Sequence, residues 1–403
     1  MLIPRPGPLR WLQDWRDRDV IKVVTGVRRC GKSTILSMFR ENLLASGVDP
    51  ARIVSLNLEN PAHAPLLADY RAFYEQVKAQ LAPDGTTYVF IDEIQNADQF
   101  ERVVDGLFIL PEVDLYLTGS SSRLLSGSMA TMLTGRYVEL RLLPLSFAEY
   151  VAAQSDGQHD PPLRDLFDSY QRRGSFPFVT TLTDDDQVRQ YLEGILSTIL
   201  LNDVAVSQRV SNVAQLRSVT EFIFANVGNL TSTKRISDAM TSAGRSISRP
   251  TVDSYLTGLA DSFLILPARR WDIRGKRLLE SGEKHYLVDP GMRRAILGAK
   301  PADAGHLLEN IVYLELLRRP GKVFVGKIGP GEVDFVVEDA TGTTYYQVAQ
   351  DVTDPATLER ELASLRAIPG YEQRILLTLD REPPQSYDGI RRLSVLDWLI
   401  DAD

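Results

Sequence analysis

The sequence predicts an α/β protein whose first 150 residues form a doubly wound parallel sheet covered by helices. Three observations predict this fold: short β-rich apolar runs alternate with helical patterns, a glycine-rich loop follows the first run, and a later run ends in two acidic residues. The chain has 403 residues, of which 44% are apolar and 24% charged. This is the composition of a globular protein with two or three domains, because one domain has roughly 150 residues.

Five strands and three helices are predicted in the first 150 residues. Each strand is a short apolar run, and each helix carries apolar residues at helical spacing. The predicted strands are Ile21 to Thr25, Ile53 to Leu58, Tyr88 to Ile91, Leu115 to Thr118 and Tyr137 to Leu142. One predicted helix begins after Lys32, and the others extend over Tyr70 to Leu81 and Gln99 to Leu110.

The loop after the first strand fits the phosphate-binding pattern G-x-x-x-x-G-K-[ST]. It consists of Gly26, Val27, Arg28, Arg29, Cys30, Gly31, Lys32 and Ser33, followed by Thr34. Glycines let such a loop direct backbone N–H groups at phosphate oxygens, and the next helix presents its positive end to the same anion. Lys32 is predicted to reach the β- and γ-phosphates, and Ser33 to ligate Mg²⁺. We therefore predict an ATP site at this loop.

A second part of the predicted site is the apolar strand that ends in Asp92 and Glu93. Asp92 would hold Mg²⁺, and Glu93 would polarise the attacking water, as phosphoryl transfer to water requires. Taken alone, the two acids are equally typical of a solvated strand end or of the first turn of a helix. The phosphate loop in the same domain favours the catalytic interpretation.

Other polar residues are candidates for a γ-phosphate sensor and for an arginine finger. Ser120 is the first choice as sensor and Thr118 the second, although a serine-rich strand end is also typical of a turn. Arg136, or less favourably Arg123, is a candidate for an arginine that acts on a neighbouring subunit's site. A surface arginine without a role explains either position equally well.

The single cysteine, Cys30, excludes an intramolecular disulfide and a cysteine-rich zinc site, and the four histidines are scattered. Because Cys30 lies in the phosphate loop, an electropositive setting would lower the pKa of its thiol and make it redox-sensitive. The simpler interpretation is a small residue that fits the loop.

The charge and hydropathy of the chain narrow the classes of protein. The 45 Lys and Arg against 53 Asp and Glu give a net charge of −8, which argues against a protein that coats nucleic acid non-specifically. No apolar stretch approaches the roughly 18 residues of a membrane span. The first residues, MLIPRPGPLRWLQDW, have prolines and charges where a signal peptide needs an apolar core. We expect a cytoplasmic protein.

Residues 151–215 are predicted to form a helical lid or bridge, and residues 216–275 a winged-helix-like segment. In the latter, Thr233 to Ala243 and a second helix, which begins after Ser248 and extends to Leu259, precede the strand Phe263 to Ala268. Between Thr231 and Arg277 nine basic residues against four acidic ones give a local charge of +5. Such a basic segment is typical of DNA contact, and a role in packing is equally consistent with it.

The last part, residues 276–403, carries the order of residues of a PD-(D/E)xK nuclease. A helix holds Glu309, a strand begins near Asp334, and the next strand has Gln347 and Ala349 where the nuclease pattern has an acid and a lysine. Because one anionic ligand and the lysine are missing, we expect a degenerate nuclease-like α/β domain, with at most a weak Mg²⁺ site at Glu309 and Asp334.

Five segments together resemble the AAA-type ATPases that carry a C-terminal DUF4143 domain. The segments are Ile21 to Arg29, Asp92 to Gln95, Leu117 to Ser122, Pro144 to Phe147 and Gly174 to Pro177. The resemblance covers nearly the whole chain. It implies a P-loop NTPase (AAA-like) core that binds ATP, a helical lid, a winged-helix segment and a C-terminal nuclease-like fold. Cys30 departs from the serine usual in that family.

The function predicted from these residues is a Mg²⁺-dependent ATPase in which Lys32, Glu93 and Arg136 are the catalytic candidates. The alternative is a nucleotide-gated switch that binds DNA or a protein partner with little hydrolysis, and a nuclease is less favoured. The phosphate loop alone is also consistent with a kinase or GTPase, although no N-K-x-D motif that reads guanine is present. A homo-oligomer would supply the arginine finger.

Overall fold

A computed structural model describes residues 2–125, 133, 135–155, 161–279, 282–298, 304–380 and 383–401. The chain divides into two compact units. The first consists of Met1–Leu142 with Asp261–Phe263, and the second of Leu143–Ala260 with Leu264–Asp403. The first unit contains the predicted phosphate loop. The second contains the segments predicted as lid, winged helix and nuclease-like domain.

The first unit is built on a five-stranded sheet of order β2-β3-β4-β1-β5, in which every pairing is parallel. Parallel strands are covered on both faces, which explains why the strand sequences are nearly continuous apolar runs. All five predicted strands are confirmed, with ends that differ from the prediction by at most two residues. The strands are β1 (Ile21–Thr25), β2 (Ile53–Asn57), β3 (Thr87–Asp92), β4 (Val113–Gly119) and β5 (Tyr137–Arg141).

Helices cover both faces of this sheet. They are α1 (Pro6–Asp14), α2 (Lys32–Ala45), α3 (Ala64–Leu67), α4 (Tyr70–Lys78) and α5 (Phe100–Phe108). Val89 and Ile91 of β3 share a core cluster with apolar residues of α4 and α5. Phe90 points to the opposite face, because side chains alternate along a strand, and its ring lies 6.4 Å from that of Phe39 on α2. The doubly wound prediction is thus confirmed.

The second unit begins with helices, as the prediction of a helical segment over residues 151–215 leads us to expect. Ser146 starts the first of them with a capping box: its Oγ accepts from Glu149 N at 3.1 Å, and Glu149 accepts from Ser146 N at 2.9 Å. Residues 156–160 of the predicted lid lie outside the described residues. The helices are α6 (Phe147–Gln154), α7 (Leu163–Arg173), α8 (Asp185–Thr198) and a π-helical turn, Ile199–Ala205.

The turn Gly174 to Pro177, which the sequence marks as a break between helices, is fixed by a buried carboxylate. Ser175 donates to Asp289 Oδ2 through its N–H at 2.5 Å and through its hydroxyl at 2.8 Å. Gly174 has a φ of +92°, and a Cβ there would lie 2.5 Å from Asp289 Oδ1. Only glycine fits this close approach. The turn therefore serves packing within the second unit.

Three helices and a three-stranded antiparallel sheet of order β6-β10-β7 follow. The helix predicted to begin after Ser248 does so, and Ser248 Oγ accepts from Thr251 N at 3.2 Å, as expected of a helix N-cap. The elements are α9 (Val213–Ala225), β6 (Leu230–Thr231), α10 (Thr233–Ser242), α11 (Arg249–Asp261), β7 (Ile265–Ala268) and β10 (Glu283–Leu287).

The rest of the second unit is built on an eight-stranded mixed sheet of order β15-β16-β14-β13-β12-β11-β8-β9. Its strands are β8 (Arg270–Asp272), β9 (Arg277–Leu278), β11 (Lys322–Ile328), β12 (Gly331–Asp339), β13 (Gly342–Ala349), β14 (Gln373–Thr378), β15 (Gln385–Tyr387) and β16 (Ile390–Ser394). The accompanying helices are α12 (Pro290–Leu297), α13 (Ala304–Leu316), α14 (Pro355–Arg366) and α15 (Val395–Ile400).

Candidate functional site

The predicted phosphate loop connects the carboxyl end of β1 to the first turn of α2. Gly26 has a φ of +148°, and a Cβ there would lie 2.2 Å from the carbonyl oxygen of Leu142. Gly31 has a φ of +102° and is the N-cap of α2. These values are accessible to glycine and strained for other residues. The glycine spacing in the sequence therefore reflects the shape of the loop.

The first turn of α2 has the properties of an anion site. Gly31 provides no side-chain cap, so no side chain at the N-cap satisfies the first N–H groups of the helix. Ser33 and Thr34 on this turn are exposed. Uncapped N–H groups and the positive end of a helix together favour a phosphate group. The residues present therefore fit the phosphates of a nucleotide.

Lys32 is buried beneath this loop and forms an ion pair with Glu93. Its Nζ donates to the carbonyl oxygens of Gly26 at 3.1 Å and Val27 at 3.3 Å, and it lies 3.3 Å from Glu93 Oε1. Only 4% of the lysine and 6% of the glutamate are exposed. The structure thus brings together the lysine and the acid that the sequence predicts as catalytic.

Asp92 and Glu93 are oriented by Thr118 on the neighbouring strand β4. The Thr118 hydroxyl donates to Asp92 Oδ1 and accepts from Glu93 N at 2.8 Å. Glu93 itself has a φ of +54°, a conformation that a residue with a side chain adopts at a cost. Strain held in place by a neighbouring strand is common at functional sites.

The Glu93 carboxylate is ionised in this setting. Burial by itself raises its pKa, but Lys32, Gln95 and Ser120 outweigh burial, so that the pKa of Glu93 lies below its ordinary value. Gln95 Nε2 donates to Glu93 Oε2 at 2.5 Å and to Ser120 Oγ at 3.3 Å. An ionised carboxylate is the form that can accept a hydrogen bond or a proton from water.

The hydroxyl groups of both candidate sensors already take part in the hydrogen bonds of the site. A hydroxyl has one proton, and that of Thr118 is donated to Asp92. Ser120, which follows the carboxyl end of β4, accepts from Gln95 Nε2 at 3.3 Å, and its hydroxyl favours the ionised form of Glu93. The sensor role of Ser120, or of Thr118 as the second choice, stays a prediction.

Cys30 is fully buried in the loop, and burial raises the pKa of its thiol above the ordinary value, although Lys32 and Arg5 act in the opposite direction. The redox-sensitive alternative, which required a lowered pKa, is therefore wrong, and Cys30 is a small packing residue. Arg28 forms an ion pair with Glu59 at 3.2 Å, and Arg29 is exposed with a φ of +67°.

The structure adds Arg5 and Gln95 to the site. Arg5 is 6% exposed and donates from Nη1 to the carbonyl oxygen of Cys30 at 3.1 Å, so the segment before α1 supports the phosphate loop. No sequence signal marks Arg5, because its contact is with a loop distant in the chain. For Gln95, the available signal was its position two residues after Glu93, in the segment Asp92 to Gln95 that carries the family resemblance.

Arg136 lies at the other end of the sheet from the phosphate loop. It precedes β5, so it is at the amino end of a parallel strand, whereas the loop follows the carboxyl end of β1. Its guanidinium pairs with Asp105 at 2.8 Å. Arg136 is thus no part of this chain's own site, and a role on a neighbouring subunit stays a prediction. The side chain of Arg123 lies outside the described part of the chain.

The second unit contains the predicted nuclease-like residues, and a lysine lies among them. Lys284 Nζ is 2.8 Å from Glu309 Oε1 and 2.5 Å from Glu332 Oε1, and Tyr286 donates to Glu309. Burial raises the pKa of Asp334 well above its ordinary value, and nearby Glu309 raises it further. Asp334 Oδ2 accepts from Val348 N at 2.9 Å, so the cluster combines a buried acid with a carboxylate that is already paired with a lysine.

The Glu309 carboxylate, where a weak Mg²⁺ site shared with Asp334 was expected, is paired with the ammonium group of Lys284, and a lysine-bound carboxylate is a poor ligand for a hard cation. Among the residues that the structure describes, no group of three or more His, Cys, Asp or Glu side chains is placed to hold a metal ion. Gln347, which stands where the nuclease pattern has an acid, donates from Nε2 to Glu361 Oε2 at 2.9 Å.

No helix in the described ranges is long and apolar enough to cross a membrane.

Comparison with protein families assigns most of the chain to two domains. Residues 18–151 match AAA_14, an AAA domain, and residues 164–303 match DUF8612, a domain of unknown function. The expected DUF4143 label is therefore not confirmed. Among solved structures, a Walker-type ATPase of Pyrococcus abyssi is similar with a TM-score of 0.50 and 15% identity, over 73% of this chain and 95% of that one. At this identity the similarity concerns the fold.

Two relatives are similar along the sequence. An uncharacterized protein of Methanocaldococcus jannaschii is 27% identical over 333 residues, 79% of this chain and 72% of that protein. An uncharacterized protein of Haemophilus influenzae is 36% identical over 400 residues, 99% of both chains. The chain therefore belongs to the same family as the Haemophilus influenzae protein, and its first domain is an AAA domain with the P-loop NTPase fold.

Proposed function

We propose that this protein is a Mg²⁺-dependent ATPase that converts ATP and water to ADP and phosphate. The observation that carries the proposal is the meeting of Lys32 and Glu93, which lie 3.3 Å apart at the carboxyl edge of the sheet although they belong to different loops. A cation for the phosphates and an ionised carboxylate for the water are the two groups that hydrolysis needs most.

Each residue of the site has a defined task in this proposal. The N–H groups from Gly26 to Thr34 bind the phosphates, and Lys32 leaves the loop carbonyls to contact the β- and γ-phosphates. Ser33 and Asp92 provide the oxygen ligands that suit Mg²⁺, and the bound ion neutralises charge on the phosphates. Glu93 orients the attacking water, and its lowered pKa keeps it ionised at neutral pH. Ser120 is proposed to contact the γ-phosphate.

The division of the chain into four parts belongs to the same proposal. Residues 1–150 form the ATPase core, 151–215 a helical lid, 216–275 a winged-helix-like segment, and 276–403 a degenerate nuclease-like domain. Three helices and the strands β6 and β7, which pair with β10 from beyond residue 275 in an antiparallel sheet, support the winged-helix interpretation. A helix, three antiparallel strands, a helix and a parallel strand, from α13 to β14, support the nuclease-like one.

A second candidate function is a nucleotide-gated switch that binds DNA, with little hydrolysis. The observation that favours it is the exposure of eight of the nine basic side chains between Thr231 and Arg277: Lys234, Arg235, Arg245, Arg249, Arg269, Arg274, Lys276 and Arg277. Exposed basic residues on such a fold suit phosphate contacts. A gel shift of duplex DNA with and without ATP tests this function, and binding that is indifferent to nucleotide excludes it.

The experiment that tests the ATPase is the steady-state rate of ATP hydrolysis with Mg²⁺, for the wild type, Glu93→Gln and Lys32→Ala, without and with duplex DNA. Glu41→Gln, on the exposed side of α2, is the matched control for the loss of a carboxylate. We expect turnover in the wild type and the control, and its loss in the other two. If the wild type binds ATP without hydrolysing it, the ATPase proposal fails and the nucleotide-gated switch becomes the favoured function.

The proposed homo-oligomer is tested with the same assay. If Arg136 completes the site of a neighbouring subunit, the rate per subunit rises with protein concentration, and Arg136→Ala lowers it. Mixing Arg136→Ala with Glu93→Gln then restores part of the activity, because each variant supplies what the other lacks. A rate per subunit independent of concentration, unchanged by Arg136→Ala, removes this role.

A further inference from the structure

We propose that Gln95 positions the Glu93 carboxylate for attack of water on ATP, and that the AAA domain depends on this glutamine for turnover rather than for nucleotide binding. The inference rests on the proposed ATPase function. It starts from a contact that the catalytic pattern does not include: Gln95 Nε2 donates to Glu93 Oε2 at 2.5 Å and also to Ser120 Oγ at 3.3 Å.

The two oxygens of the Glu93 carboxylate have different partners. Oε1 lies 3.3 Å from Lys32 Nζ, and Oε2 accepts from Gln95. Phosphate groups attract the lysine, so its hold on Oε1 weakens when a nucleotide binds. The amide of Gln95 is neutral and does not contact the phosphate loop through any of its hydrogen bonds. It is therefore the partner that can hold Glu93 in the nucleotide-bound site.

The orientation of the Gln95 amide follows from the charge of Glu93. With the amide reversed, its oxygen would lie 2.5 Å from a carboxylate oxygen, and two acceptors would repel each other. In the orientation adopted, Gln95 Oε1 is buried, and the described residues offer it no hydrogen-bond partner. An unpaired buried oxygen is unfavourable. This unfavourable burial occurs at a glutamine whose amide donates to Glu93.

Gly119 provides the space for this orientation. A Cβ at Gly119 would lie 2.9 Å from Gln95 Oε1 and 2.6 Å from Leu124 Cδ2, both closer than real contacts. The backbone of Gln95 is fixed as well, because it lies in the short helical turn Ile94–Asn96, which Asn96 N closes by donating to Glu93 O at 3.0 Å. The backbone of Gln95 is therefore fixed by the helical turn, and its side chain packs against Gly119, so its amide is already positioned to donate to Glu93.

The variants that test the role are Gln95→Met, which keeps the length of the side chain without its donor, and Gln95→Glu, which places a second carboxylate beside Glu93. Gln80→Met, at an exposed glutamine, is the matched control. For each we would measure kcat and KM for ATP from pH 5 to 9, the affinity for a fluorescent ATP analogue, and thermal unfolding.

We expect kcat of Gln95→Met to fall roughly 10- to 100-fold, the cost of a misplaced catalytic group, while KM and the affinity for the analogue change by less than about twofold. We expect Gln95→Glu to lose turnover at least as strongly, because it also removes the donor and places a second carboxylate beside Glu93. A group that only supports the fold would lower kcat and the unfolding temperature together, so a fall of kcat at an unchanged unfolding temperature distinguishes the two roles.

Three outcomes overturn the inference. If the wild type does not hydrolyse ATP, the proposed function and the inference both fail. If the wild type is active and Gln95→Met retains its kcat, the inference fails alone. The same holds if Gln95→Met loses affinity for the analogue, or unfolds at lower temperature, in proportion to its loss of kcat.

Discussion

Replacing Thr118 by valine tests how the site holds its two acids. Thr118 is fully buried on β4, where its hydroxyl donates to Asp92 Oδ1 and accepts from Glu93 N at 2.8 Å. Valine fills nearly the same volume without the hydroxyl, so the substitution creates no cavity and removes two hydrogen bonds. It leaves the backbone N–H of Glu93 without this partner, at a residue whose φ of +54° is already strained.

The magnitude follows from the burial of each partner. A buried N–H left unpaired costs about 1–3 kcal/mol, and the lost bond to Asp92 adds about 1 kcal/mol, because this half-buried carboxylate can bind water instead. We therefore expect the free energy of unfolding to fall by about 2–4 kcal/mol. Thr118→Ser, which keeps the hydroxyl and loses a buried methyl group, is expected to cost about 1 kcal/mol.

Urea unfolding of the wild type and both variants measures these differences, and ATP hydrolysis measured in parallel shows whether the acids stay in place. We expect Thr118→Ser to keep most of its turnover and Thr118→Val to lose at least about tenfold, because Asp92 no longer has a fixed orientation. A valine variant as stable and as active as the serine variant would show that the hydroxyl does not hold these acids.

Burial lowers the pKa of His285 to about 4 from 6.5, so the unfolded chain binds one more proton than the folded one between these pH values, and stability rises with pH in that window. We expect the free energy of unfolding to fall by about 3 kcal/mol between pH 6.5 and pH 4 because of this histidine. Denaturant unfolding at each pH measures the fall, and His285→Gln should not show it. Asp114→Asn should cost about 3–5 kcal/mol by the same measurement, because it removes the carboxylate partner of fully buried Lys22. Gly26→Ala should abolish binding of a fluorescent ATP analogue, because its Cβ would lie 2.2 Å from Leu142 O.

Each of these predictions has its own control. For the histidine, parallel curves of unfolding free energy against pH for the wild type and His285→Gln would contradict the assignment. For the ion pair, Asp105→Asn removes a half-exposed carboxylate and should cost less than about 1 kcal/mol. For the loop, Gly47→Ala, at a positive φ with no neighbouring atom, should leave analogue binding unchanged.

The sequence predicted best those features that depend on residues close together in the chain. The strands of the first unit were recognisable as apolar runs because parallel strands are buried on both faces. The phosphate loop was recognisable because Gly26 and Gly31 adopt positive φ values. Helix ends were less certain, and those of α4 and α5 come two or three residues earlier than predicted. A helix end depends on caps and packing as much as on periodicity.

In the second unit, local sequence patterns failed to predict contacts between residues far apart in the chain. The broken E-x-K pattern gave no indication that Lys284 enters the carboxylate cluster, because this lysine comes from β10 of a different sheet. The contact of Arg5 with the phosphate loop was not predicted either, because Arg5 lies 25 residues before Cys30 in the chain. Contacts between residues far apart in the chain leave no spacing that a sequence pattern can detect.

The sequence by itself determined the parallel sheet, the phosphate loop and the identity of Lys32, Asp92 and Glu93, because each depends on residue type within a few positions of the chain. Only the tertiary structure decided that the Cys30 thiol is buried with a raised pKa and that Glu93 is held between Lys32 and Gln95. Burial and ion pairing set the charge of a group, and both arise from neighbours that only folding brings within a few ångströms.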